Sequence, residues 1–204
     1  KTVEVLSFKR LFYYVSGHLG GSLLPRLTDT GREILIAKAT EKCEKEFKIL
    51  GKSAKYKGFT KVLSILFSEF KRYNITADKL RETFIKLNED EFLRQKLEDI
   101  SLVYKAYQEE LLRKFIDADD ELSLLAEILK EHNDFFADSI ILIDEFEGFT
   151  PQEMTIITQI AKQAKEMKIT LCTNTRVPAE RSIFSMQAKT AASLDDIAQQ
   201  YGIE

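Results

Sequence analysis

Tryptophan is absent from the 204 residues, prolines number three, and cysteines and histidines two each. Each scarcity removes a class of protein. Cys43 and Cys172 stand far apart with no C-x-x-C spacing, which excludes a disulfide-dense secreted scaffold and fits a reducing, cytoplasmic setting. Three prolines and eight glycines punctuate the chain so sparsely that long helices are expected to dominate. No apolar run reaches the roughly 18 residues of a membrane span. An excess of basic charge is missing too: Lys+Arg 30 against Asp+Glu 33 leaves a formal net charge of -3. That balance excludes a protein that coats nucleic acid, whose domain pI lies above about 9, but leaves room for a local basic groove. An initiator methionine is lacking, and both ends read as cut, so the chain is expected to be an internal piece of a longer protein.

What is present is a core-forming composition, 44% hydrophobic, arranged in two periodicities. Val3–Leu6 reads as a short strand, with Ser7 as N-cap of a helix bearing Phe8, Leu11, Phe12 and Val15. Gly20-Gly21 and Pro25 end that unit. From Thr28 to about Lys114 the pattern is helical throughout. Phe59, Val62, Leu63, Leu66, Phe67 and Phe70 form one apolar face, and Phe92, Leu97, Ile100, Val103, Tyr104, Tyr107 and Leu111 another. A shorter helix with Leu122, Leu125, Ile128 and Leu129 follows Asp117-Ala118-Asp119-Asp120.

The character then changes. Ser139 to Ile143 is a continuous apolar run, as in a strand buried on both faces of a parallel sheet. Thr150-Pro151-Gln152-Glu153 matches a capping box with proline at the first helical position. Ile156, Ile157 and Ile160 continue that helix, and Ile169–Cys172 reads as a second strand, completing a βαβ unit. The expected fold is α/β and mostly helical: a partial parallel sheet of Val3–Leu6, Ile140–Ile143 and Ile169–Cys172, with a helical bundle inserted between the first two strands. Three segments follow from this, residues 1–27, 28–115 and 116–204.

One constellation carries chemistry. A strand ending in Asp144-Glu145 places two mutually repelling carboxylates where, in open α/β sheets, the ligand crevice lies. An aspartate there can hold hydrated Mg²⁺ against nucleotide phosphates, and the adjacent glutamate can orient the attacking water. Four aliphatic residues followed by Asp-Glu is the Walker B pattern of P-loop NTPases. The plainer alternative is a strand ending in ordinary solvated acids.

Ile143-Asp144-Glu145-Phe146 resembles motif II of the UvrD/RecB-like superfamily 1 helicases. Val5-Leu6-Ser7-Phe8-Lys9-Arg10-Leu11 resembles their motif Ia, and Phe115 to Leu122 resembles the segment that returns from inserted domain 1B to motor domain 1A. Asp144 to Glu153, with the Val5–Leu11 stretch and Phe67 to Ile75, is most similar to the AddB branch, the B subunits of bacterial ATP-dependent helicase/deoxyribonucleases. The resemblance spans nearly the whole chain. It implies a RecA-like motor fold with a 1B-like helical insert, and processing of double-strand DNA ends for recombinational repair with recognition of the Chi signal. It further implies ATP and Mg²⁺ as cofactors, a 4Fe-4S cluster in a C-terminal nuclease domain, and the A subunit and DNA as partners. By the same resemblance Asp144 and Glu145 are the catalytic pair, Asp144 the metal ligand, and Ser7, Phe8, Lys9 and Arg10 the DNA contacts. Glu147-Gly148-Phe149 and Thr173-Asn174-Thr175-Arg176 depart from motifs II and III. No G-x-x-x-x-G-K-[ST] phosphate loop occurs in these residues, so ATPase activity is not expected of this chain by itself. The competing reading is a helicase-like scaffold that binds DNA and a partner without hydrolysing ATP.

Other residues admit plainer readings. Phe8 can be core on its helix, with Lys9 and Arg10 merely solvated. Lys52, Lys55, Lys57, Lys61, Lys71 and Arg72 cluster around one helix, as either a DNA-facing surface or a solvated face. His18 and His132 have no partner spacing, and both cysteines read as packing residues.

Overall fold

The computed structural model describes residues 2–20, 24–86, 90–112, 114–173 and 183–203. It is α/β and mostly helical: α1 Phe8–Leu19, α2 Asp29–Cys43, α3 Phe59–Arg72, α4 Ala77–Ile85, α5 Glu91–Leu111, α6 Glu121–Glu131, β1 Ile140–Ile143, α7 Pro151–Ala161, β2 Glu166–Ile169 and α8 Ser185–Tyr201. Two compact units share the chain. A helical unit, Ser16–Glu121, interrupts an α/β unit made of Lys1–Val15 and Leu122–Glu204.

The helical unit follows its periodicities. Thr28 and Thr76 cap α2 and α4 by accepting from the amides of Gly31 and Lys79, and Asp90 caps α5 through the amide of Leu93. The core lies among α2 to α5, where Ile36, Leu63, Phe67, Leu80, Val103 and Tyr107 are buried. The Phe67 ring sits 4.7 Å from Tyr104 and 5.6 Å from Tyr107 between centroids, pairs that add to their area burial. Val62 and Phe92, expected on apolar faces, point to solvent at 64% and 67% exposure. The unit's entry and exit are tied together. Arg26 and Ile116 form a parallel bridge, in which the Leu27 amide donates to the Ile116 carbonyl at 2.8 Å and the Ile116 amide to Pro25 at 3.0 Å. Arg26 also pairs with the buried carboxylate of Glu121 at 2.7 Å.

In the α/β unit, β1 and β2 pair in parallel with Ile140 opposite Glu166 and Ile143 opposite Ile169. One face of this sheet, carrying Ile141 and Met167, packs with Phe12, Val15, Leu125, Leu129, Ile156 and Ile160. Thr150 closes the capping box of α7 as its sequence predicts: its amide donates to Glu153 Oε2 at 2.8 Å and its Oγ1 accepts from the Glu153 amide at 3.3 Å. Gly202, in the left-handed conformation at φ 62°, ends α8.

Three strand expectations are corrected. Val3–Leu6 forms no strand; Val3 and Val5 are 85% and 84% exposed, and a strand exists only where a ladder partner takes up its backbone groups. The second strand is Glu166–Ile169 rather than Ile169–Cys172, because pairing with β1 sets its register. Cys172 therefore lies beyond the strand and is exposed, not a packing residue, whereas Cys43 is buried at the end of α2. β1 is covered on one face only, with Ile140 55% and Leu142 70% exposed on the other.

Candidate functional site

The acidic pair lies where β1 stops. The Thr170 amide donates to the Ile143 carbonyl at 3.0 Å, carrying the ladder one step past β2. The next residue of β1's chain is Asp144, and the Thr170 hydroxyl donates to its Oδ1. Parallel pairing explains this meeting, since residues following two in-register strands emerge side by side. Glu145 then adopts φ 65°, a left-handed conformation uncommon in a residue with a Cβ, and so turns the chain sharply out of the strand. Asp144, Glu145 and Glu147 are all exposed and border an open cleft of about 630 Å³, which Thr170, Phe184 and Gln187 also line.

The loop that follows is held from two sides. Phe146 and Phe149 pack 5.2 Å apart, and Phe8 meets both edge-on at 5.5 and 6.2 Å. Gly148 passes against α8 so closely that a Cβ would stand 3.2 Å from Thr190 Oγ1. The structure thus brings the Ser7–Arg10 turn beside the loop of the acidic pair. Ser7 caps α1, its Oγ accepting from the Arg10 amide at 3.4 Å and its carbonyl from Leu11 at 2.8 Å. Of the four candidate DNA contacts, Ser7, Lys9 and Arg10 are exposed, and Phe8 is half-buried with its ring in the aromatic trio. Asn174, Thr175 and Arg176 lie outside the described residues.

The donor set fits a magnesium nucleotide better than a metal cage. Among the described residues no three His, Cys, Asp or Glu side chains converge on one point. Mg²⁺ asks for less, one or two carboxylates with phosphate oxygens and water completing the shell. Asp144, with one oxygen steadied by Thr170 and the other uncommitted to any hydrogen bond among the described residues, meets that demand.

Sequence reasoning missed two things. Thr170 is one; counting along the two strands from a correct register would have placed it opposite Asp144. The other is the buried network of the helical unit. Asp117, 1% exposed, accepts from Arg32, from Lys71 at 2.7 Å and from the Tyr107 hydroxyl at 2.6 Å. Arg32 also pairs with Asp119, and Lys71 with Asp120 at 2.7 Å. Burial by itself would raise the Asp117 pKa, but Lys71, Tyr107 and Arg32 outweigh it and hold the carboxyl at about 2. Burial and the neighbouring Asp117 carboxylate push the Tyr107 hydroxyl well up, so it stays a donor. Lys71, expected within a surface cluster, is thereby removed from any external ligand. No pattern within α3 distinguishes it, because its partners lie nearly fifty residues away.

Known proteins are similar to this sequence over most of its length. The family described as "ADDB, N-terminal" matches residues 1–204. The B component of an ATP-dependent helicase/deoxyribonuclease from Ruminiclostridium cellulolyticum is 38% identical over 98% of this chain. Proteins of the same name from Clostridium tetani and Clostridium novyi are 37% and 34% identical over 87% and 99%. The chain spans only 18%, 16% and 18% of the length of these three relatives.

Proposed function

We propose, from the premise that this chain belongs to the family of AddB N-terminal domains, that it is the part of an ATP-dependent helicase/deoxyribonuclease B subunit that presents a magnesium-nucleotide edge and a DNA-side turn. The observation that carries the reading is the placement of Asp144-Glu145 just past β1, with Asp144 steadied by Thr170 and an open cleft in front. In this reading residues 1–27 and 116–204 belong to a RecA-like 1A segment and residues 28–115 to a 1B-like insert. DNA-end processing in recombinational repair, Chi recognition, partnership with an A subunit and a cytoplasmic setting belong to the same proposal.

Mg²⁺, when bound, neutralises charge on the nucleotide phosphates. Asp144 would hold it through the carboxylate oxygen that Thr170 leaves available. Glu145, turned out of the strand by its left-handed backbone, would orient the attacking water and accept its proton. Phe146, wedged between Phe8 and Phe149, restrains the loop so that Glu145 keeps its position relative to the Ser7–Arg10 turn. Lys9 and Arg10, exposed on that turn, would neutralise backbone phosphates of DNA. Phosphate cradling must come from residues other than these 204, since no Gly-rich Lys-Ser/Thr loop occurs among them.

A specific observation favours a second reading. The Thr170 hydroxyl already occupies one oxygen of Asp144, as it would in a helicase-like scaffold where the acid merely closes the sheet edge. Two substitutions in the full-length protein separate the cases, with the ATPase of its partner silenced. Glu145→Gln should keep Mg-ATP affinity while slowing single-turnover hydrolysis by about 10²-fold or more, for loss of the orienting base. Asp144→Ala should weaken Mg-dependent binding itself. If both variants match the wild type in affinity and turnover, the scaffold reading stands. The 204-residue chain alone should show no ATPase above a buffer blank, and turnover abolished by Asp144→Ala would contradict that.

A further inference from the structure

From Phe47 to Ser68 the chain carries Lys48, Lys52, Lys55, Lys57 and Lys61 and no Asp or Glu, although acids outnumber bases in the protein as a whole. The run covers the connection after α2, the 3-10 turn Ser53–Lys55 and most of α3. Two of its lysines are engaged: Lys48 with Glu98 at 2.8 Å, and Lys55 facing Glu44 at 3.8 Å. Among the described residues no ion pair engages Lys52, Lys57 or Lys61, and all three are exposed. Tyr56, between Lys55 and Lys57, is 74% exposed.

This basic stretch is built to hold its shape. On its upstream side the buried Asp99 carboxylate accepts from the consecutive amides of Lys48, Ile49 and Leu50, each at 2.9 Å. On its downstream side Phe59 packs against the helical core. Tyr56 itself is fixed at both backbone groups, its amide donating to Ser53 at 3.1 Å and its carbonyl accepting from Phe59 at 3.2 Å. Gly58, at φ 97°, makes the turn into α3 that this arrangement needs. A large aromatic ring is thus displayed to water on an ordered turn, in a stretch where Lys52, Lys57 and Lys61 have no ion pair among the described residues. A fold gains nothing from such an arrangement on its own account, because exposing the ring forgoes its burial and like charges nearby repel.

We propose that Lys52, Tyr56, Lys57 and Lys61 form a contact surface for single-stranded DNA. The three ammonium groups neutralise backbone phosphates, and the Tyr56 ring takes the face of an unpaired base. The four residues belong to the helical unit, and the acidic pair and the Ser7–Arg10 turn to the α/β unit. An acidic protein segment would satisfy the lysines but leave the ring without its purpose, which favours nucleic acid.

The test uses the purified chain and a fluorescein-labelled twenty-nucleotide oligothymidylate, read by anisotropy over a series of salt concentrations. A Lys52→Gln, Lys57→Gln, Lys61→Gln variant should bind at least about tenfold more weakly, with the slope of log affinity against log salt reduced by about 2, since each phosphate contact on a single strand contributes roughly 0.7. Tyr56→Ala should weaken binding by about tenfold without changing that slope, and Tyr56→Phe should restore it. Circular dichroism should be unchanged in all of them, because every altered side chain is exposed. Asp144→Ala should bind as the wild type does, so a failure of the nucleotide reading leaves this result intact. Wild-type affinity in the triple variant would overturn the proposal, as would an equal loss in a control carrying Lys86→Gln, Lys105→Gln and Lys130→Gln. Polyglutamate competing as well as the oligonucleotide would transfer the surface to an acidic protein. Equal binding of a twenty-base-pair duplex with no effect of Tyr56→Ala would overturn the base-stacking assignment.

Discussion

The two units treat charge in opposite ways. In the helical unit Asp117 is 1% exposed and the side chains of Lys71 and Arg32 only 4% and 10%, so three charges have left water together. In the α/β unit Asp144, Glu145 and Glu147 stay in water at the end of a strand, with one hydroxyl among the described residues bound to the first of them. Buried charges have to compensate one another, and having done so they have no capacity left for a ligand. The exposed acids are uncompensated, which is poor for stability and is what a cation-binding edge requires. The most strongly shifted carboxylate, Asp117, belongs to the structural network.

The contrast can be broken most directly at Asp117. Asp117→Ala leaves Arg32 and Lys71 buried with a counter-ion missing, and should cost about 3–5 kcal/mol of stability, measured by urea denaturation. A cost below about 1 kcal/mol would mean that Asp119 and Asp120 suffice and that the network is no hub. Acid sharpens the same point. Because the folded Asp117 pKa is depressed to about 2 from an ordinary 3.8, its contribution is present in full above about pH 4 and fades as the pH falls toward 2. Urea midpoints taken between pH 6 and 2 should drop in that window, and Asp117→Asn should flatten the drop. The smallest effect is expected on the other unit. Leu142→Ser, at a site 70% exposed, should shift stability by less than about 0.5 kcal/mol in this chain. A larger loss would show the outer face of the sheet to be more covered than the comparison allows.

What was legible beforehand was local. The α7 capping box, the Ser7 cap and the helical stretch after Thr28 each depend on residues within a turn or two of one another. The position of the candidate site was legible in the same degree, since Asp144-Glu145 follows β1 directly. Pairing across distance was not. β2 begins three residues earlier than its own composition suggests because Ile140 chooses Glu166 as its partner. Val3–Leu6 has the alternating β-rich character of a strand but no ladder to join. Lys71 looks like its solvated neighbours until Asp117 and Asp120, far along the chain, are brought beneath it.

The bridge between Arg26 and Ile116 bears on the order of folding. The α/β unit is discontinuous: its first fifteen residues must find the remainder across an intervening stretch of roughly a hundred. In an open chain, closing so long a loop is entropically unfavourable. Once the helical unit has formed, its entry and exit are pinned side by side, and the intervening stretch behaves as a tether of about fifteen residues. On the logarithmic dependence of loop closure on length, that shortening lowers the closure cost by about 1.7 kcal/mol. The bridge thus makes the interrupting unit a template that delivers the two halves of the interrupted one to each other.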